Sequence, residues 1–331
     1  MKKFLTLATA AVMGFACIGA SACKDDKADY TVGIVQLVTH DALDAATQGF
    51  KDALTDKLED AGKTVKFDYK NASNDTTICT TIANDFASKN VDLIMANATP
   101  ALQAAYAATT SIPILGTSIT EYGVALGIEN FSGTVGTNVS GTADLAPLDE
   151  QATMMVDLLD LTAEDKVAIL YCSAEPNSKY QADVVKSELA EKNITADVKT
   201  FTDSNDIASI CNGIVSGGYD AVYVPTDNTV ASNTATIDSI LRGADIPVFA
   251  GEEGICKGCG FATLSISYYN IGVKTGEMAA EILLGKADIR EMAIAYDQAP
   301  VKKYNGTICA DFGITVPDGY EIITGTENAQ N

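Results

Sequence analysis

Beyond residue 30 the chain alternates short apolar runs with stretches in which apolar residues recur at helical spacing, the pattern of parallel strands joined by amphipathic helices. A first series reads as strands TVGIVQLV (31–38), TVKFDYKNA (64–72), VDLIMANA (91–98) and IPILGTS (112–118), with helices beginning near Asp41, Asp75 and Thr99. A second reads as VAILYCS (167–173), TADVKTF (195–201), YDAVYVP (219–225) and IPVFAGE (246–252), with helices beginning near Asn177, Ser204 and Asp227. The two series match in order: VDLIMANATP and YDAVYVPTDN occupy equivalent places, as do SIPILGTS and DIPVFAGE. The expected fold class is therefore α/β, with two doubly wound parallel-sheet lobes. Between the series lie GTVGTNVSG (133–141) and a helix from Asp149 to Leu161. After them come a strand TLSIS (263–267), a helix from Tyr269 to Leu284, and short strands near 292–296 and 306–310. This trailing material predicts a hinge crossed more than once. On that reading lobe 1 comprises 31–140 plus about 269–292, and lobe 2 comprises 141–268 plus about 293–328.

The N-terminus sets the expected compartment. Lys2 and Lys3 precede an apolar run from Phe4 to Ala20, and Ala20, Ser21, Ala22 and Cys23 follow. These are the charged, apolar and small-residue regions of an export signal. A Cys directly after the small residues resembles a lipobox, so residues 1–22 read as a lipoprotein signal peptide, Cys23 as the lipidated residue and 23–30 as lipidated Cys and tether. The expected location is extracytoplasmic, lipid-anchored to the membrane at the cell surface or in the periplasm. Without Lys2 and Lys3 the chain has 20 basic against 44 acidic residues, a net charge of about −24. Nucleic acid is not expected as a partner of so acidic a chain.

In an open parallel sheet, ligands bind beyond the carboxyl ends of the strands, where helix N-termini point unpaired amides at the crevice. If the lobes face each other, both sets of loops meet in one cleft and a small molecule is the expected ligand. The first lobe offers Gln36, His40 and Thr99; the second offers Ser173, Asn177, Ser178, Asp227, Asn228 and Glu252. Neither arginine, Arg242 or Arg290, falls at a strand end, so a guanidinium clamp on a carboxylate is missing there. A ligand carboxylate would rest on hydroxyls and helix N-terminal amides, with Thr99, Ser173 and Ser178 best placed, while Asp227 faces an ammonium group. Helix capping accounts equally well for Thr99, Asn177, Ser178 and Asp227. With no Trp in the chain, aromatic walls would come from residues such as Tyr122, Tyr171, Tyr180, Tyr268 and Tyr269, which also suit core or hinge packing.

Catalysis finds little support. His40 is the sole histidine, which excludes a His-rich metal site and leaves one ring for any Ser-His-Asp arrangement. No GxSxG, P-loop or GxGxxG motif accompanies a suitable strand, and no cofactor or metal is expected. Cys256 and Cys259 stand two residues apart in a Gly-rich turn, too few ligands for structural zinc, and read as either a local disulfide or two free thiols.

The stretches HDALDAATQGFKDAL (40–54), VDLIMANATPALQA (91–104), SAEPNSKYQ (173–181), VYVPTDNTVA (222–231) and SYYNIGVKTGEMAAEILLG (267–285) together resemble ABC-transporter substrate-binding lipoproteins, a family that includes tryptophan- and tyrosine-binding members. The resemblance implies a type I periplasmic-binding fold, an aromatic or apolar amino acid as cargo, and delivery to an ABC permease with its ATPase by a monomeric, non-enzymatic protein. By motif position it supports Thr99, Ser173, Asn177, Ser178, Asp227 and Asn228 as ligand contacts; Gln36, His40, Glu252 and Tyr268 are expected to bind ligand from their places near strand ends. The chain departs from the family pattern at Thr39 and Asp41 and by lacking a Pro around Tyr122. Two alternatives stay open: a sensory protein presenting ligand to a membrane receptor has the same site, and an extracellular enzyme on this scaffold would depend on His40.

Overall fold

The computed structural model describes residues 28–296 and 299–327; the signal-peptide reading and Cys23 lie outside the described residues. The first series forms β1 (Tyr30–Gln36), α1 (Asp41–Asp60), β2 (Val65–Asn71), α2 (Thr76–Lys89), β3 (Leu93–Asn97), α3 (Thr99–Ala108), β4 (Ile114–Ile119), α4 (Tyr122–Leu126) and β5 (Val139–Ala143). The second forms α5 (Leu148–Leu159), β6 (Lys166–Cys172), α6 (Pro176–Glu191), β7 (Thr195–Phe201), α7 (Ile207–Ser216), β8 (Ala221–Val224), α8 (Asn228–Ala231), α9 (Thr234–Leu241), β9 (Val248–Ala250), α10 (Glu253–Cys259) and β10 (Ala262–Ser265). The chain ends with α11 (Tyr268–Leu283), β11 (Ala295–Tyr296), β12 (Val301–Tyr304), α12 (Gly306–Phe312) and β13 (Glu321–Ile322).

Two sheets result, in the orders β11-β5-β4-β3-β1-β2 and β13-β12-β10-β9-β8-β6-β7. From β1 to β5 and from β6 to β10 the order is the same, so the duplication read from sequence is a repeat of sheet topology. Central strands β3, β4, β6 and β8 are buried along almost their whole length, as parallel strands covered by helices on both faces must be. Among the described residues only the β10–β12 pair is antiparallel.

The polypeptide changes sheets between Ala143 and Leu148, between Ser265 and Tyr268, and between Tyr296 and Val301. Two differences from the sequence reading follow. Ala295 and Tyr296 pair with Thr142 and Ala143 in the first sheet, not the second. The segment near 306–310, read as a strand, is α12, whose start is capped by Asn305 accepting from the Ile308 N–H at 3.1 Å. β5 had passed as a connection because Val139, Ser140, Gly141, Thr142 and Ala143 carry no apolar run. Gly141 has φ +144, and a Cβ there would overlap the carbonyl oxygen of Gly116 on the neighbouring strand. Only glycine lets β4 and β5 approach so closely.

The lobes touch across the cleft. His40 Nε2 lies 3.2 Å from Asn228 Oδ1, Asn74 Nδ2 donates to Thr229 Oγ1 at 3.2 Å, and Lys257 Nζ lies 3.3 Å from an Asp41 carboxylate oxygen.

Candidate functional site

In both sheets the topology reverses beside the first strand of the lobe, between β1 and β3 and between β6 and β8. That is where an open parallel sheet offers a crevice outside its carboxyl ends. In the second lobe, two buried carboxylates organise the loops. Asp227 caps α8, one oxygen accepting from the Val230 N–H at 2.8 Å and the other from the Cys172 N–H at 2.7 Å. Glu175 accepts from the N–H groups of Asn228 and Thr229, from Asn228 Nδ2 and from Thr229 Oγ1, at 2.8 to 3.0 Å. Asn177 Nδ2 and Ser178 Oγ donate to the Thr226 carbonyl at 3.1 and 3.2 Å. The starts of α6 and α8 are thereby fixed to each other.

In the first lobe, Gln36 closes a buried circuit. Its Oε1 accepts from Thr47 Oγ1 at 2.6 Å, and its Nε2 donates to the Val38 carbonyl at 2.8 Å and to Asp44 at 2.6 Å. Asn97 Nδ2 donates to the Leu43 carbonyl at 2.8 Å, which holds α1 over the ends of β1 and β3. Beyond β3, Ala98 has φ 90°, and within β4, Ser118 has φ 56°, conformations that residues with a Cβ adopt at a cost. Ser118 sits where the β4–β5 register shifts. From the hinge, Tyr268 OH donates to Asp144 Oδ2 at 2.9 Å.

A cavity of about 10 Å³ lies where these loops meet. That is room for one water-sized group. His40, Leu43 and Ser118 line it from the first lobe, Asn177, Thr226, Asp227, Asn228, Ala231 and Glu252 from the second, and Asp144 and Tyr268 from the hinge. Three of its wall atoms, Ser118 Oγ, Asp144 Oδ1 and Asn177 Oδ1, are buried without a hydrogen-bond partner. Such atoms are rare because each forfeits its hydration. A second cavity of about 320 Å³ shares Glu252 and Tyr268 with the first and continues between Ala42, Ala45, Ile266 and Val301.

The electrostatics are acidic. Burial holds the Asp144 and Asp227 carboxyls above the usual range, with the nearby Glu175 charge adding to the effect on Asp227. Burial likewise pushes Glu252 to about 7, against the two amide hydrogen bonds that favour its ionised form. His40 is held below the usual imidazole range because burial penalises its cation. No lysine or arginine lines the smaller cavity. The helices α1, α3 and α6 begin at His40, Ala98 and Glu175 with no side-chain cap. Their first N–H groups supply the positive ends that a carboxylate needs.

His40, Asn177, Asp227, Asn228, Glu252 and Tyr268 thus meet at one cavity. The other candidates read from sequence stand elsewhere. Gln36 spends its polar atoms inside lobe 1, Thr99 is buried at the start of α3 without capping it, and Ser178 holds the Thr226 carbonyl. Ser173 is exposed and its Oγ donates to the Phe201 carbonyl at 3.1 Å, on the β7 side. Each oxygen of Asp227 accepts one backbone N–H, so this carboxylate also serves to hold the loops of lobe 2 together. Glu252 caps α10, accepting from Gly254 and Ile255 at 2.6 and 2.5 Å. Cys256 and Cys259 lie one turn apart on α10 as free, buried thiols, the second of the two readings the spacing left open. Tyr122 and Tyr171 are core residues. Asp144 is the residue the sequence reading missed. Its signal was an acid directly after a run of small residues, in TADLAP, at the first change of sheet.

The family model for ABC transporter substrate binding proteins matches residues 31–322. The chain belongs to this family. A tyrosine-binding protein from Clostridioides difficile (strain R20291) is 33% identical over all of this chain and 98% of its own length. A Streptococcus pneumonia ABC domain solved in complex with L-Trp superposes with a TM-score of 0.81 at 28% identity, covering 88% of this chain and 100% of that one. The ligand-free, open structure of a Clostridium difficile substrate binding protein with adhesive properties reaches a TM-score of 0.65 at 35% identity, over 89% and 99%. The fold is that of type I periplasmic binding proteins. This substrate-binding protein thus superposes better on the relative solved with L-Trp than on the ligand-free, open one.

Proposed function

We propose that this protein is the extracytoplasmic, lipid-anchored receptor of an ABC importer, which captures an aromatic amino acid between its lobes and passes it to a membrane permease driven by an ATPase. The observation that carries the reading is the closed cleft: bonds between the lobes surround a polar cavity, and superposition on the relative solved with L-Trp is better than on the ligand-free, open one. Names of relatives that bind tyrosine and tryptophan support the class of cargo. The hinge lets an open form exchange with this closed one, and a ligand touching both lobes shifts the population toward closure. The closed surface is what a permease recognises. Cys23 supplies the membrane anchor, and the protein works as a monomer without chemistry on its cargo.

The 320 Å³ cavity beyond Tyr268 and Glu252 is the space for a ring, with Ala42, Ala45 and Ile266 as its apolar wall. Thermal unfolding against a panel of amino acids, nucleosides and sugars tests the cargo. A ligand at 100 times its dissociation constant adds about 2.7 kcal/mol to stability. The expected result is a clear rise in Tm with L-tyrosine or L-tryptophan; a rise confined to sugars or nucleosides, or none at all, removes the amino-acid reading.

A further inference from the structure

We infer that Ser118, Asp144 and Asn177 form a cradle for one primary ammonium group, the α-ammonium of the captured amino acid; this deepens the receptor reading and rests on it for the identity of the molecule. Each side chain is more than nine-tenths buried, at 6%, 4% and 5% exposure, and each has an oxygen without a hydrogen-bond partner. All three residues line the same 10 Å³ cavity. The geometry commits the free atoms of Asn177 and Asp144 to accepting, and Ser118 can accept beside them. Asn177 turns its amide nitrogen to the Thr226 carbonyl at 3.1 Å, which leaves Oδ1 as its unpaired atom. Asp144 gives Oδ2 to the Tyr268 hydroxyl at 2.9 Å, which leaves Oδ1. Ser118 is held at positive φ in the irregular stretch of β4, and its hydroxyl has two lone pairs with which to accept.

Three acceptors around a space for one small group match an ammonium, which has three N–H donors when attached to carbon. A water serves the same three atoms only with the Ser118 hydroxyl as donor, and it carries no charge to match the acids around it. The charge agrees: Asp144, Asp227 and Glu252 line the cavity, no lysine or arginine does, and both oxygens of Asp227 already hold backbone N–H groups. Of these three acids only Asp144 has an oxygen with no partner, which makes it the counter-ion, and Ser118 and Asn177 orient the group. Its size excludes a nitrogen that carries a second or third carbon. The site thus selects primary amines over N-methylated, N-acylated and quaternary ones.

The test has two arms. In calorimetric titration, the aromatic amino acid that binds best is compared with its N-methyl, N-acetyl and des-amino analogues on the wild-type protein and on Asp144→Asn. Each analogue is expected to bind the wild type about 100-fold more weakly, and Asp144→Asn to weaken the amino acid about 100-fold while leaving the des-amino analogue unchanged. Analogues within about threefold of the parent would reduce the cavity to a water site. An equal loss for both ligands on Asp144→Asn would make Asp144 structural only. The second arm needs no knowledge of the cargo: methylammonium chloride should raise the Tm of the wild type above that in tetramethylammonium chloride, and should not do so for Asp144→Asn. Methylammonium stabilisation without amino-acid binding leaves the cradle standing and the receptor reading fallen. Amino-acid binding with no methylammonium effect and equal analogues does the reverse, and silence in both arms overturns both.

Discussion

Replacing Glu175 by alanine is expected to cost about 3–5 kcal/mol of stability and to abolish ligand binding, because one buried carboxylate serves four donors at 3.0 Å or less and a fifth, Asn177 Nδ2, at 3.4 Å. The first four are the backbone N–H groups of Asn228 and Thr229 and the side chains of the same two residues. Alanine leaves all four desolvated at the N-terminus of α8, where the helix dipole also favours a negative charge. The damage spreads to the cleft. Asn228 carries the oxygen that meets His40 from the other lobe, and Thr229 carries the one that meets Asn74. Denaturant unfolding of Glu175→Ala beside the exposed control Glu164→Ala measures the effect. A difference of less than about 1 kcal/mol between them would show that water satisfies the four donors and that the loops hold without Glu175.

The second large effect is expected at Gly272, where two general rules give opposite signs. Alanine in place of a helical glycine should stabilise by about 1 kcal/mol. Gly272, however, lies on the face of α11 that rests on α1, and a Cβ there would overlap the carbonyl oxygen of Ala46. Gly276, one turn on, would place a Cβ 2.6 Å from the Phe50 carbonyl oxygen, and Gly49 on α1 is blocked in the same way by the Tyr269 carbonyl. These neighbours are backbone, so no rotamer change relieves the overlap and the helices themselves must separate. Packing wins, and Gly272→Ala should lose about 2–3 kcal/mol net, read as a Tm lower by several degrees. Since α11 follows the second change of sheet, the loss should extend to closure. A higher Tm in Gly272→Ala would mean that the α1–α11 contact is looser than the structure has it.

The strands and helices that place the cleft were legible because most core strands are short, mainly apolar runs ending in polar loop residues. The duplicated order of those runs also foretold two lobes. Strand β5 escaped because its burial depends on small residues fitting under a neighbouring strand, a property of tertiary packing that leaves no period in the sequence. α12 was misread for the related reason that NGTICADF is too short to show a helical period before Gly313. In the site, the loops were located but the roles were not. Asp227 looked like the partner for a cation because it stands at a strand end; that it also ties the end of β6 to α8 depended on the Cys172 N–H, 55 residues away. Asp144 drew no reading at all, because its place beside Ser118 and Asn177 exists only once the hinge is folded.

The most direct test of capture by closure is small-angle scattering on one sample in which calorimetry has already shown saturation with L-tryptophan or L-tyrosine. The radius of gyration should fall on adding ligand, and the scattering of the liganded protein should fit the closed arrangement, with His40 against Asn228. Saturable binding with an unchanged radius would contradict the account, since the solute would then be held on one lobe without recruiting the other.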